Sequence, residues 1–244
     1  MTFNSRFKLI FGEIFQSEGF KYCSQLNAFV KMLNEDLLAF IGVKSAPAWN
    51  KGAKGFFFTA GIVSTYYSSI DKDSISCIGH DLNLFLPRDE ARVSFEYNED
   101  TMEEIISTTA LYVKKRIMPI FNQVYDLNSF IDFLREYSID LLWDCDSFQG
   151  ESLILIKADN HDDFQDYFKK KVDEINAQID AGMAGEGYTK KMAYDDLFHG
   201  IIENIVYSRD KVYSDKNLYN EALEEAARRK SENMKKLYSY KLIG

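Results

Sequence analysis

The sequence has few of the residues that disulfide frameworks, zinc sites and turn-rich repeats require. Its 244 residues include 3 cysteines, 3 prolines and 13 glycines. Cys23, Cys77 and Cys145 lie far apart and form no C-x-x-C pair. Neither a disulfide framework nor a structural zinc site is therefore indicated. The low proline and glycine content also argues against a disordered chain or a propeller of turn-rich blades.

Long apolar runs are missing as well. No stretch approaches the ~20 uncharged apolar residues that cross a bilayer, so no membrane-spanning helix and no membrane partner are predicted. The first residues, MTFNSRFKLIFGEIFQSEG, carry charges inside the apolar pattern and show no small-residue cleavage site. They indicate an amphipathic helix rather than a secretory signal. We therefore expect a soluble, cytoplasmic protein.

Positive charge is in the minority. The chain has 29 Lys and Arg against 38 Asp and Glu, a formal net charge of −9. Proteins that bind a duplex neutralise several phosphates with Lys and Arg, so nucleic acid is not an expected partner, although a local basic patch would override the average. An acidic surface suits a basic protein partner, and such association would be sensitive to salt.

The first half of the chain predicts one helix followed by a sheet. Phe7, Phe11 and Phe15 recur at helical spacing together with Ile10 and Ile14, and Gly19 is a typical helix stop. Strand-like segments follow at residues 20–25, 28–33, 37–43, 55–67 and 75–86, and residues 45–54 form a loop between two of them. Short turns between four or five strands predict a mostly antiparallel sheet.

The second half predicts helices. Residues 98–101 supply N-cap chemistry for a helix that runs to Pro119. Further helices are predicted at residues 127–137, 147–158, 162–179, 194–206 and 216–238, although the short apolar run at 153–156 also fits a buried strand. The fold class is therefore α+β. Residues 1–120 form a sheet domain, and residues 121–244 form a helical region packed on or beside it, with one continuous domain as the alternative.

The order of these features over residues 1–135 resembles a bacterial family of uncharacterised proteins known only as a domain of unknown function. The matching stretches are Glu18-Gly19-Phe20-Lys21, Phe29, and residues 37–40, 56–62, 82–87, 98–101 and 118–121. The resemblance implies a strand-rich front followed by helices. Because the shared residues belong to the core and the helix caps, it implies no activity, cofactor or partner.

The run at residues 141–147, LLWDCDS, contains a D-x-D pair, Asp144 and Asp146. It resembles the first motif of haloacid-dehalogenase-type phosphatases and the metal-binding motif of nucleotide-sugar glycosyltransferases. Two carboxylates in this spacing suit Mg²⁺. However, the pair follows a predicted helix, and the chain has no P-loop or G-x-G-x-x-G. An acidic capping loop is the plainer interpretation, and it also applies to the acidic residues within 159–163.

The histidines have none of the spacings typical of metalloenzymes, and no G-x-S-x-G elbow is present. His80, in strand-like sequence, is a candidate to line a cleft with Arg88. The alternative is a histidine with a structural role in the core.

The loop that follows the third predicted strand is the candidate binding edge. Lys44, Lys51 and Lys54 surround Trp49 and Pro47. Lysines around an exposed indole suit an acidic or aromatic ligand, through charge and cation–π contact. The alternative is that Trp49 folds back over the edge of the core.

Together these patterns predict a non-enzymatic interaction protein, a regulatory or immunity-type binder, with no cofactor. Two alternatives remain open. One is a metal-dependent phosphoryl- or glycosyl-transfer enzyme that uses Asp144 and Asp146. The other is a protein with a small-ligand pocket between the sheet and the helices.

Overall fold

The computed structural model describes residues 2–46, 48, 50–72, 75, 80–81, 96–137, 150–158 and 216–243. The first helix is α1 (Phe3–Phe15), with a 3-10 turn at Gln16–Glu18. The strands are β1 (Lys21–Cys23), β2 (Ala28–Met32), β3 (Leu37–Ala46), β4 (Lys54–Ser64), β5 (His80–Asp81) and β6 (Glu96–Tyr97). The later helices are α2 (Met102–Tyr112), α3 (Met118–Phe121), α4 (Leu127–Glu136), α5 (Gly150–Lys157) and α6 (Lys216–Ser239). The predicted α+β class is confirmed.

The chain divides into two compact units. The first contains Met1–Thr65, Ser69–Ile139 and Ser231–Gly244, and the second contains Tyr66–Ser68 and Asp140–Lys230. All six strands named above and helices α1 to α4 lie in the first unit, and α5 lies in the second. The predicted domain boundary after residue 120 stays a prediction.

The sheet is an antiparallel meander in the order β1-β2-β3-β4-β5. β6 also pairs with β4, at Lys54↔Tyr97 and Gly55↔Glu96. Two-residue β5 joins the middle of β4 through Thr59↔Asp81 and Ala60↔His80. Short connections between β1, β2 and β3 allow only antiparallel pairing, which is why the sequence pattern was sufficient to predict it.

Two sequence predictions about the strands need correction. The β3–β4 hairpin remains paired as far as Ala46↔Gly55, so the predicted loop at 45–54 is shorter than expected. Its terminal pairs contain lysine, serine and glycine, which have no apolar alternation to reveal a strand. Ile75 is helical rather than the first residue of a strand, because its N–H bonds to the Asp71 carbonyl at 3.0 Å.

An aromatic stripe on α1 builds the core of the first unit. Phe3, Phe7, Phe11 and Phe15 recur every fourth residue, and all four are buried. Their rings lie against phenylalanines of β2 and β4, including Phe29, Phe56 and Phe58. The predicted helical face is confirmed. Packing of rings from three elements secures α1 more firmly than its intrinsic propensity would.

The entry to α2 depends on Asn98. The N–H of Thr101 donates to Asn98 Oδ1 at 3.0 Å, and the N–H of Asn98 donates to Thr101 Oγ1 at 3.1 Å. This reciprocal pair resembles a capping box. The helical run was predicted to reach Pro119, and it continues past that residue to Phe121, because a π turn at Val113–Ile117 leads into α3. Pro119 stands in the first turn of α3, a position at which proline is tolerated in a helix.

The remaining helices follow their sequence patterns. The amide of Ser129 bonds to Asp126 Oδ1 at 2.8 Å ahead of α4, whose Phe130, Ile131 and Leu134 are buried as predicted. The ambiguous segment before residue 158 is helical over α5, and α6 covers the predicted terminal helix. The helices predicted at 162–179 and 194–206 lie outside the described residues.

Candidate functional site

The end of the sheet formed by the β3–β4 hairpin projects beyond its neighbour β2. Pairing between β2 and β3 stops at Ala28↔Gly42, whereas pairing between β3 and β4 continues to Ala46↔Gly55. Asn27 makes the last contact across this gap, since its Nδ2 donates to the Val43 carbonyl at 3.4 Å. Among the described strands, none pairs with the outer edge of β3 over residues 43–46.

A cleft of about 930 Å³, open to solvent, lies at this projecting end. Its walls come from the start of α1, the end of β3, the start of β4, and the chain near β6 and α2. Residues distant in sequence therefore meet here through the sheet register. The described lining includes three lysines and one carboxylate: Lys44, Lys54, Lys72 and Glu99.

Three aromatic rings form one wall of the cleft. The ring centroids of Phe3 and Phe56 are 4.7 Å apart, and those of Phe3 and Tyr97 are 4.6 Å apart. Burial raises the pKa of Tyr97, so its hydroxyl stays protonated and can donate a hydrogen bond. An aromatic wall that includes a tyrosine suits an aromatic or mixed polar–apolar ligand.

The pleat of the sheet separates the lysines. Lys54 pairs with Tyr97 and lies two residues before Phe56, so it shares the face that packs against α1. Lys44 pairs with Phe57 on the opposite face. Lys54 and Lys72 are exposed, whereas Lys44 is half-buried. We therefore assign the positive charge of the cleft mainly to Lys54 and Lys72.

The carboxylate of Glu96 binds the hairpin loop through Asn50. Asn50 donates from its backbone N to Glu96 Oε1 at 3.1 Å and from Nδ2 to Glu96 Oε2 at 2.6 Å. Both carboxylate oxygens are thus bonded to one asparagine. This two-point contact joins the loop between β3 and β4 to β6.

The structure brings together only part of the predicted binding set. Lys44 and Lys54 line the cleft, and Lys51 is exposed in the hairpin loop without lining it. Trp49 and Arg88 lie outside the described residues. His80 lies in β5 opposite Ala60, and its predicted pairing with Arg88 stays a prediction.

Sequence reasoning missed Lys72 and Tyr97. Lys72 lies between two predicted strands, and Tyr97 immediately precedes the residues identified as a helix cap. Neither lies near the hairpin loop in sequence. Only the pairing of β6 with the start of β4 brings Tyr97 to the cleft, and that register leaves no local sequence signal.

None of the other sequence candidates is among the described residues that line this cleft. Asp144, Asp146 and residues 159–163 lie outside the described residues. Within the part of the chain that is described, no group of three His, Cys, Asp or Glu side chains is placed to hold a metal ion. No described helix is both long enough and apolar enough to cross a membrane. Cys23 is a buried free thiol.

Comparison with protein-family models, curated proteins and solved structures finds no match for this chain. The resemblance to a domain of unknown function over residues 1–135 therefore stays a prediction.

Proposed function

We propose that this chain is a non-enzymatic interaction protein, a regulatory or immunity-type binder, and that it holds an acidic partner in the cleft at the end of the β3–β4 hairpin. The observation that carries the proposal is the convergence of Lys54 and Lys72 beside the aromatic wall. Local positive charge is unexpected in a chain with a net charge of −9. The expected cytoplasmic location is part of the same proposal.

The energetics favour modest, salt-sensitive binding. Exposed lysine–carboxylate pairs contribute roughly 0.2–1 kcal/mol each, so the lysines select charge more than they supply affinity. Burial of apolar surface against the aromatic wall provides the larger share. Glu99 is the single lining carboxylate among the described residues. Its negative charge repels an acidic partner, so the site favours partners whose carboxylates bind near the lysines and not near Glu99.

The net charge continues to favour a basic partner for the rest of the surface, as the sequence predicts. A basic partner and an acidic one would respond oppositely to a change of charge in the cleft. Adding carboxylates to the cleft strengthens binding of a basic partner or leaves it unchanged. The same change weakens binding of an acidic partner. A charge-reversal variant therefore tells the two apart.

The test compares two doubly substituted proteins of equal net charge. Lys54→Glu with Lys72→Glu reverses the cleft, whereas Lys115→Glu with Lys235→Glu reverses two exposed lysines that do not line it. Tagged wild-type protein and both variants are used for affinity capture from native extract, at low salt and at about 0.15 M ionic strength. We expect a stoichiometric partner that the cleft variant loses and the control variant retains. Equal capture by all three proteins, or no capture, would contradict the proposal.

A small anionic aromatic ligand is a second candidate, favoured by the size of the cleft. Its volume, about 930 Å³, is near the top of the roughly 300–1,000 Å³ range of small-molecule sites. A thermal-shift panel of aromatic carboxylates tests it, since a ligand that binds the native state raises the melting temperature. A shift in the wild type that is absent from the Lys54→Glu, Lys72→Glu variant would favour this candidate over a protein partner.

A further inference from the structure

We infer that the cleft takes its partner as an added β-strand: an extended acidic peptide segment pairs with the outer edge of β3 over residues 43–46. This inference rests on the proposed function and specifies how the partner is held. It follows from three observations in the first unit, which are the projecting hairpin, the direction of its edge groups and the charge beside it.

Among the described strands, none pairs with this edge, because β2 begins only at Ala28. The residue before it, Asn27, belongs to the turn from β1 and has a left-handed φ of 51°. The added strand would therefore continue the line of β2, about 4.8 Å from β3. β5 and β6 pair with β4, so they lie on the far side of the hairpin and do not pair with this edge of β3.

The edge groups of β3 point away from β4, toward the side on which no described strand pairs with residues 43–46. The Val43 carbonyl accepts from Asn27 Nδ2 and is therefore directed away from β4. Main-chain groups alternate in direction along a strand, so the N–H and C=O of Ser45 point the same way. Ser45 is exposed. An incoming segment could exchange a pair of hydrogen bonds with Ser45, which is the contact that strand addition requires.

The charge beside the edge selects an acidic segment. Side chains of an added strand alternate between the two faces of the sheet. On one face they would extend toward Lys54 and the aromatic wall, and Lys72 also lines the cleft. Glu99 also lines the cleft, and its negative charge repels a carboxylate placed beside it. The residues of the segment that face the cleft are every second one, so a segment that carries both carboxylates and a β-branched residue at those positions would satisfy the lysines and the apolar wall.

The probe for this inference is a short acetylated peptide whose alternate positions carry Glu, Val and Glu, with Thr between them, labelled with fluorescein and followed by fluorescence anisotropy. A matched peptide carries N-methyl groups on the amides that would face β3, and a second carries Lys in place of Glu. We expect the unmodified peptide to bind wild-type protein and both matched peptides to bind about tenfold or more weakly.

Two substitutions test the same edge from the protein side. Ser45→Pro removes the edge N–H at a position where an edge strand tolerates proline, and Ser45→Ala keeps it. We expect Ser45→Pro to weaken peptide binding about tenfold and Ser45→Ala to change it less than about twofold. Should Ser45→Pro fail to fold, the N-methylated peptide still decides the question on wild-type protein. Amide exchange gives a further readout, since bound peptide should protect the Ser45 N–H, which would face the added strand.

The outcomes separate this inference from the proposed function. If peptide binding depends on Lys54 and Lys72 but is indifferent to N-methylation and to Ser45→Pro, strand addition is overturned and the cleft still binds an acidic partner. If the peptide does not bind wild-type protein, strand addition is also overturned. A concentration-dependent dimer abolished by Ser45→Pro would instead assign this edge to a second copy of the chain. The proposed function itself is contradicted only if the capture experiment fails.

Discussion

Arg229 and Glu225 form an ion pair one turn apart on α6, with Arg229 Nε 2.7 Å from Glu225 Oε1 and the arginine side chain fully removed from solvent. The same carboxylate accepts from Arg228 Nε at 2.7 Å and from Arg228 Nη2 at 2.6 Å. Arg229 Nη1 also donates to the Tyr66 carbonyl at 3.4 Å. A buried guanidinium depends on such partners, because an unpaired charge inside a protein is strongly destabilising.

The pH dependence of stability follows from this carboxylate. Hydrogen bonds from Arg228, followed by those from Arg229, lower the pKa of Glu225 from 4.5 to about 2. The native state therefore holds the charged form more firmly than the unfolded state does. Its contribution to stability is complete above about pH 4.5 and is lost as the pH falls toward about 2. Urea unfolding across this range should show the loss in the wild type.

Substitution of Glu225 should remove that acid-dependent contribution. Glu225→Gln leaves Arg229 buried without its carboxylate, and we expect it to lower the free energy of unfolding by about 2–3 kcal/mol at neutral pH. Glu224→Gln is the matched control, because Glu224 is exposed on the same turn, and its effect should stay within about 0.5 kcal/mol. Equal urea midpoints for the two variants would show that the buried ion pair contributes nothing net.

Asn233 makes a second buried polar contact with the chain that follows β4. Its Nδ2 donates to the Thr65 carbonyl at 2.9 Å, and its Oδ1 accepts from the Ile70 amide at 2.8 Å. Asn233→Ala leaves both backbone groups without their partner, and we expect a loss of about 2–4 kcal/mol in the free energy of unfolding. Amide exchange at Ile70 should accelerate. Ser231→Ala, at an exposed position of the same helix, should change neither measurement.

Gly19 and Gly12 should respond oppositely to alanine. Gly19 ends the first helical segment with a φ of 87°, and the Phe20 amide then bonds back to the Phe15 carbonyl at 3.1 Å. An alanine there is strained, so we expect Gly19→Ala to destabilise the protein by about 1 kcal/mol. Gly12 lies inside α1, where an added Cβ would sit 3.6 Å from Gln16 Nε2 in ordinary contact. Gly12→Ala should stabilise by up to about 1 kcal/mol in thermal or urea unfolding.

The aromatic stripe of α1 should dominate the stability of the first unit. The ring of Phe11 stacks on Phe58 at 5.6 Å between centroids and contacts Phe29 at 6.1 Å. Phe11→Ala opens a cavity among these rings, and we expect it to cost about 3–5 kcal/mol in chemical denaturation. Leu9→Ala, on the exposed side of the same helix, should cost less than about 0.5 kcal/mol. Similar losses for both variants would contradict the assignment of the core face.

The elements that local patterns could predict were those whose signal lies within one turn or one hairpin. The four-residue repeat from Phe3 to Phe15, the cap at Asn98 and the short turns of the meander all depend on neighbouring residues. The same reasoning failed at Pro119, where a proline normally ends a helix. A π turn precedes Pro119 and lets the helical run continue, and no propensity rule predicts such a turn.

Prediction of the candidate site was less complete for a physical reason. Lys44 and Lys54 were predictable as candidates because they lie within a few residues of Trp49 in the sequence, and both line the cleft. Their sequence proximity did not reveal that the pleat sets Lys44 on the opposite face, because that depends on the strand register. Lys72 and Tyr97 carried no local signal at all.

The sequence by itself determined the fold class, the antiparallel meander and the aromatic face of α1, because apolar periodicity and turn length act over a few residues. The tertiary structure alone decided where β2 stops against β3, and hence that Ser45 lies on an unpaired edge among the described strands. It also decided that Tyr97 meets Phe3 and that Arg229 is buried. These contacts join distant segments, and only the packing of the complete chain can select them.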